Sequence, residues 1–142
     1  MVGRTGHSRI HLALILGAVA ALILALPASA GGARVTRGTF HEFAGVGMDI
    51  GGHAVMVRTA DGRTFVSVHV EGLTAGATYG SHVHLLPCDT STAGTHYKFD
   101  TAGASAPPNE IWPGPFTANQ DGIANGNTWA DGTAGPTAVS VV

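Results

Sequence analysis

Three histidines in two short motifs, Gly80-Ser81-His82-Val83-His84 and Ala93-Gly94-Thr95-His96, are the residues of this chain whose types and spacing suit chemistry. The neighbouring Val and Thr favour strands, and the many glycines favour turns. On a strand, alternate side chains share a face, so His82 and His84 project to one side with Cα atoms about 6.6 Å apart. At that separation two imidazoles can converge on one metal ion, and His96 brings a third from the loop that follows. An imidazole cluster without thiolates suits copper or zinc better than calcium or magnesium. The pair taken alone is equally compatible with two polar residues on a solvent face, and His96 taken alone with an ordinary loop histidine.

Strands have to carry these side chains. Residues 53–60 and 63–70 flank Asp61-Gly62, and Asp-Gly between two β-rich runs predicts a hairpin with a type I′ turn, in which both central residues take positive φ. In the second run Val66, Val68 and Val70 alternate with Phe65, Ser67 and His69, so the valines face a core and His69 faces out. His53 also reads as a surface residue, and His41, between Phe40 and Glu42, has no partner in the pattern. Residues 35–44 predict a first strand, ahead of breaks at Gly45, Gly47, Gly51 and Gly52. Residues 87–115 carry five prolines and predict a long loop without regular structure, which at this length is a functional segment. Residues 116–119 and 123–130 predict a second hairpin around Gln120-Asp121-Gly122, and residues 137–142 the start of a last strand. Short strands, Gly-rich turns and no helical period indicate an all-β sandwich or barrel.

Residues 70–84 run Val-Glu-Gly-Leu-Thr-Ala-Gly-Ala-Thr-Tyr-Gly-Ser-His-Val-His, followed by Cys88 and by Ala93-Gly94-Thr95-His96-Tyr97. This series resembles the copper/zinc superoxide dismutases, which show a Gly-Leu turn, a Gly-Phe-His-Val-His strand, a cysteine and an Ala-Gly-x-His-Phe segment in the same order. Phe116-Thr117-Ala118 and Asp121-Gly122-Ile123-Ala124 are similar to the family's Val-Thr-Ala and Asp-Gly-Val-Ala hairpin. The resemblance covers roughly residues 53 to 142. It implies a Greek-key β-sandwich or barrel and a copper enzyme that disproportionates superoxide to oxygen and hydrogen peroxide.

By motif, His82 and His84 match two copper ligands on a strand. His96 matches the histidine that bridges copper and zinc in the zinc-containing enzymes. Counting back from Thr117-Ala118 puts Asn109 and Trp112 where the family's last zinc histidine and zinc aspartate stand. An amide and an indole do not replace those ligands, so zinc is not expected, and the resemblance is to a copper-only branch. A metal-bound histidine usually donates its other N–H to a carboxylate or carbonyl. Glu110 and Asp100 are the loop acids placed for that role, each also readable as a solvated loop acid. The family cysteine matched by Cys88 bonds a second cysteine near the C-terminus, and the fourth copper ligand follows a Val-Val pair. The sequence ends at Val141-Val142 and has one cysteine. The expectation is a truncated last strand, with the fourth ligand, the cysteine partner and an anion-attracting arginine falling beyond it.

Arg4, His7, Arg9 and His11 precede an apolar run over 12–26 and the small-residue site Ala28-Ser29-Ala30. That pattern predicts a secretory signal peptide over 1–30 and a mature domain over 31–142. The alternative is an uncleaved anchor, because the run approaches the ~17 residues of a spanning helix. After cleavage no stable membrane anchor remains, and the protein is secreted or held in the cell envelope. The mature part carries five basic residues against nine acidic ones, a net charge of −4, which argues against a nucleic-acid partner. Nothing in the pattern points to a particular oligomeric state. Beside the enzyme stand a non-enzymatic copper-binding module and a purely structural β-sandwich. Turnover at saturating copper separates the first two, and tight copper binding separates both from the third.

Overall fold

A computed structural model describes residues 31–142 except 44, 46 and 89–92. The expected signal peptide lies outside the described residues. These contain no helix. Their strands are β1 (Arg34–Thr39), β2 (Gly51–Arg58), β3 (Thr64–Glu71), β4 (Thr78–Tyr79), β5 (Val83–His84), β6 (Phe116–Thr117), β7 (Ala124–Ala130) and β8 (Ser140–Val141). One antiparallel sheet has the order β1-β2-β3-β7, and two short antiparallel ladders pair β4 with β6 and β5 with β8.

The period-2 pattern of β3 gives the large sheet its inner face. Thr64, Val66, Val68 and Val70 are buried, while Phe65, Ser67 and His69 are half-buried on the other side. Met56, Val66 and Ala130 from that inner face pack against Val83, Tyr97, Ile111 and Ala138. Each fully buried aliphatic side chain of this kind stabilises the fold by about 1.5–3 kcal/mol. The result is an all-β architecture compatible with a β-sandwich.

The turn between β2 and β3 differs from the expected type I′. Asp61 does not take positive φ; Gly62 alone does, at 86°. Gly62 N–H donates to Thr59 O at 3.1 Å and Thr59 N–H to Arg63 O at 2.8 Å, which defines a three-residue loop ending in a left-handed glycine. One left-handed residue then suffices, and Asp61 is free to pair with Arg63 and the Thr59 hydroxyl. The same arrangement recurs at Asn119–Ile123, where Gly122 has φ 72°. There the flanking strands part company: β6 pairs with β4, and β7 pairs with β3. The expected second hairpin is therefore a crossing between sheets.

These two glycines give a graded test. An added Cβ at Gly62 meets only Thr133 Oγ1 at 3.9 Å, whereas at Gly122 it lies 2.5 Å from Leu73 O. Gly62→Ala should cost about 1 kcal/mol, from backbone strain alone. Gly122→Ala should cost at least about 2–3 kcal/mol, because backbone must also move. Equal losses in denaturant unfolding would contradict this.

The first strand is shorter than the expected 35–44. It stops at Thr39, and the chain then turns through Gly45 (φ 89°) and Gly47 (φ 73°), with Glu42 Oε2 accepting the Met48 N–H at 2.7 Å. The proline-rich stretch after β5 is tied down by isolated bridges, His84↔His96 and Lys98↔Glu110.

Candidate metal centre

Although β5 is only two residues long, it is held on both edges. On one side Val83 pairs with Val141 and His84 with Ser140. On the other the chain returns alongside it: Leu86 N–H donates to Ala93 O, Leu85 N–H to Thr95 O, and Tyr97 N–H to Val83 O, at 2.9, 3.1 and 2.7 Å. Ala93 (φ 50°) and Gly94 (φ 74°) both lie in the left-handed region and shape this return. A Cβ at Gly94 would sit 2.8 Å from Leu86 Cγ, so the return requires glycine there.

This register brings His96 between the two strand histidines. The His96 ring stacks on His82 at 4.1 Å and meets His84 edge-on at 4.8 Å, while the His82 and His84 rings are 6.3 Å apart. One ligand nitrogen from each of the three lies within 4.8 Å of the others. Two nitrogens bound about 2.1 Å from one ion can be at most about 4.2 Å apart, so small ring rotations close the set.

The neighbours of these rings decide which nitrogen each leaves free for a ligand. His84 Nδ1 lies 3.1 Å from Gly94 O and His96 Nδ1 lies 2.7 Å from Glu110 Oε2. Both rings thus donate an Nδ1–H and present Nε2. Glu110 is 2% exposed, and Trp112 Nε1–H donates to the same Oε2 at 2.7 Å. The Trp112 indole also stands edge-on to His82 at 5.0 Å.

Of the two loop acids, only Glu110 supports the cluster. Asp100 does not reach it: its Oδ1 accepts the Ala102 N–H at 2.9 Å and closes an exposed turn. Asn109 holds the same turn, accepting the Asp100 N–H at 2.8 Å and donating to Asp100 O and Ala104 O. Trp112 is the residue whose supporting role the sequence reasoning missed. The signal was available in Glu110-Ile111-Trp112, because on extended backbone the first and third side chains share a side and the second is buried opposite.

Elsewhere, Cys88 has a free, half-buried thiol 3.9 Å from Val141 O. His53 and His69 face each other across β2 and β3 with rings 5.3 Å apart. His69 is more than a bare surface residue, since Asn125 Oδ1 and Glu71 Oε1 each lie 2.9 Å from one of its ring nitrogens. These two acceptors, Asn125 first, raise its pKa. His41 lines an apolar cavity with Phe40, Phe43 and Met48.

Burial, followed by the charges of the neighbouring imidazoles, lowers the pKa of His82. Burial lowers that of His84 as well, against the opposing pull of the Gly94 carbonyl. At Glu110 burial pushes the pKa up, but the hydrogen bonds from His96 and Trp112 outweigh it and hold the carboxyl below its usual range. Burial thus favours the neutral form of His82 and His84, and the carboxylate form of Glu110 stands behind the cluster.

The pH dependence of the metal-free protein follows. Histidines with depressed folded values contribute stability that is present above the unfolded value of 6.5 and is lost as pH falls through the folded values. Glu110 acts in the same direction below 4.5. His69, raised and half-buried at the surface of the sheet, has the opposite sign, and solvent screening makes it the smaller influence. Melting temperature should fall between pH 7.5 and 5.5, and a flat profile would contradict these assignments.

No family model matches the chain, and no curated protein matches it. Fold and centre together define an all-β protein of antiparallel sheets in which three histidines lie close enough to bind a metal ion. The all-imidazole donor set favours a borderline transition metal over calcium or magnesium.

Proposed function

We propose that this chain is an exported, copper-dependent superoxide dismutase-like protein with a Greek-key β-sandwich of the copper/zinc superoxide dismutase type. The observation that carries this reading is the hydrogen-bonded chain Trp112–Glu110–His96 at a centre of three imidazoles. The donor set fits copper: three imidazoles, no thiolate, and Nε2 presented by the two rings whose Nδ1 is engaged. Copper bound there supplies one-electron exchange between two oxidation states. The overall reaction oxidises one superoxide to oxygen and reduces a second, with two protons, to hydrogen peroxide.

The chain's own residues prepare the site for that chemistry. Glu110 orients His96 through its Nδ1–H, and the Gly94 carbonyl fixes the tautomer of His84. A cavity of about 650 Å³ opens beside His84 and His96, large enough for a small anion, and Lys98 is the cation in its lining. Asn109 and Trp112 are engaged within the protein, which supports a site without zinc.

The test is superoxide decay, followed by stopped-flow, on full-length protein loaded with one equivalent of copper. Catalytic decay that disappears in His96→Ala is expected. Copper retained without turnover would make this a copper-binding module, and no retained copper would leave a structural sandwich. Export is tested by N-terminal sequencing, which should read from Gly31.

A further inference from the structure

The large sheet ends at β1, which among the described residues pairs only with β2. All six β1 residues are exposed. Phe40 N–H donates to Gly52 O, so by antiparallel alternation Thr36 and Gly38 turn their backbone groups toward β2, whereas Val35, Arg37 and Thr39 turn theirs outward. Such an unpaired edge invites another strand unless it is covered. On the neighbouring ladder β8 pairs, among the described residues, only with β5. These two edges line one cleft of about 190 Å³, with residues 36–40 on one side, residues 138–141 on the other, and Ala54, Met56 and Cys88 between them. A second lobe of about 290 Å³, sharing Phe40, Cys88 and Val141, continues over Ile50, Val70 and Phe116. Ser81 also lines this lobe; it is 2% exposed, and its Oγ has no hydrogen-bond partner.

We propose that the cleft takes an extended segment of another polypeptide, laid beside β1 as an added strand. Its apolar side chains alternate into the cleft, and acidic side chains occupy the outer positions. The walls select the backbone, because an extended chain is what satisfies a row of outward N–H and C=O groups. The floor of Met56, Ile50 and Val70 selects apolar side chains on one face. On the other face Arg37, opposite Val55 and exposed, selects acids. This inference stands apart from the metal centre and does not depend on copper.

The probe is a capped seven-residue peptide of alternating glutamate and valine, added to the full chain. The readout is the labelling rate of Cys88, the sole cysteine of the sequence and part of both lobes, by a soluble aromatic disulfide. Saturable protection of at least fivefold is expected, with none from the same peptide N-methylated on alternate amides. Arg37→Pro removes one outward N–H and none of those facing β2, and proline is tolerated at such edge positions. It should weaken peptide binding at least tenfold at an unchanged melting temperature. If that variant fails to fold, the N-methylated peptide alone decides. Equal protection by both peptides, no protection by either, or a concentration-dependent dimer of the chain alone that already shields Cys88 would overturn the proposal.

Discussion

Glu110→Gln should weaken copper binding by roughly 10–100-fold, the range seen when a metal-bound histidine loses its carboxylate partner. The substitution keeps the volume of a side chain that is 2% exposed, so the change is chemical rather than steric. His96 and Trp112 both donate to Oε2, while Oε1 is buried with no hydrogen-bond partner. If the glutamine oxygen takes the Oε2 place, its NH2 is buried where no acceptor waits. If the NH2 takes it instead, His96 must carry its proton on Nε2, the nitrogen meant for the metal, and Trp112 loses its acceptor. Either way the carboxylate that accepts the His96 Nδ1–H is gone. The loss of charged hydrogen bonds should also lower stability, by about 1.5–3 kcal/mol for each bond not recovered. Competitive titration against a copper chelator measures the affinity change. Asp100→Asn is the control, since that carboxylate closes its own turn, and it should leave affinity unchanged. Equal affinity for wild type and Glu110→Gln would remove Glu110 from the site.

Arg58→Ala should be the most destabilising change outside the core, costing about 2–4 kcal/mol and roughly 10–20 °C in melting temperature. Arg58 lies at the end of β2, and its guanidinium reaches the segment between β7 and β8. Nε donates to Ala134 O at 2.7 Å, and one terminal nitrogen donates to Gly135 O and Ala138 O at 3.3 Å each. The other terminal nitrogen donates to Thr36 Oγ1 on β1 at 3.1 Å. The buried Thr64 hydroxyl holds the same segment, donating to Gly132 O and accepting from Ala134 N–H. Truncation removes a donor from three carbonyls, of which Gly135 O keeps the Ala138 N–H, and frees the chain that leads into β8, the partner of the histidine strand. Arg58→Lys should recover less than half the loss, because an ammonium cannot reproduce the planar fork. Reversible denaturant unfolding reads both variants, and a cost under about 0.5 kcal/mol for Arg58→Ala would contradict the account.

Local periodicity made the inner face of β3 legible, because residues two apart on a strand share a side whatever the rest of the chain does. The same rule made His82 and His84 legible as a pair. Asp61-Gly62 marked the place of a turn but not its type: two-residue and three-residue loops both want a left-handed glycine, and the Thr59–Arg63 hydrogen bonds select the longer one. The approach of His96 depends on the return of the chain beside β5, and that of Glu110 on a further bridge to Lys98. Such long-range pairings leave no periodic trace, so Glu110 and Asp100 had equal standing in the sequence and only the fold separates them. For the same reason the pairing of β6 with β4, on the far side of a turn that looked like a hairpin, was hidden. Trp112 reads as a lost ligand position when matched by motif, whereas its indole N–H has a positive role in holding Glu110.

Electron paramagnetic resonance of the full chain with one equivalent of copper(II) bears most directly on the central claim. Three imidazoles should give a single copper species with nitrogen hyperfine structure. The double variant His82→Ala/His84→Ala should lose that species and retain copper at least a hundredfold more weakly. A double variant that keeps the wild-type spectrum and affinity would place the copper elsewhere and contradict the account.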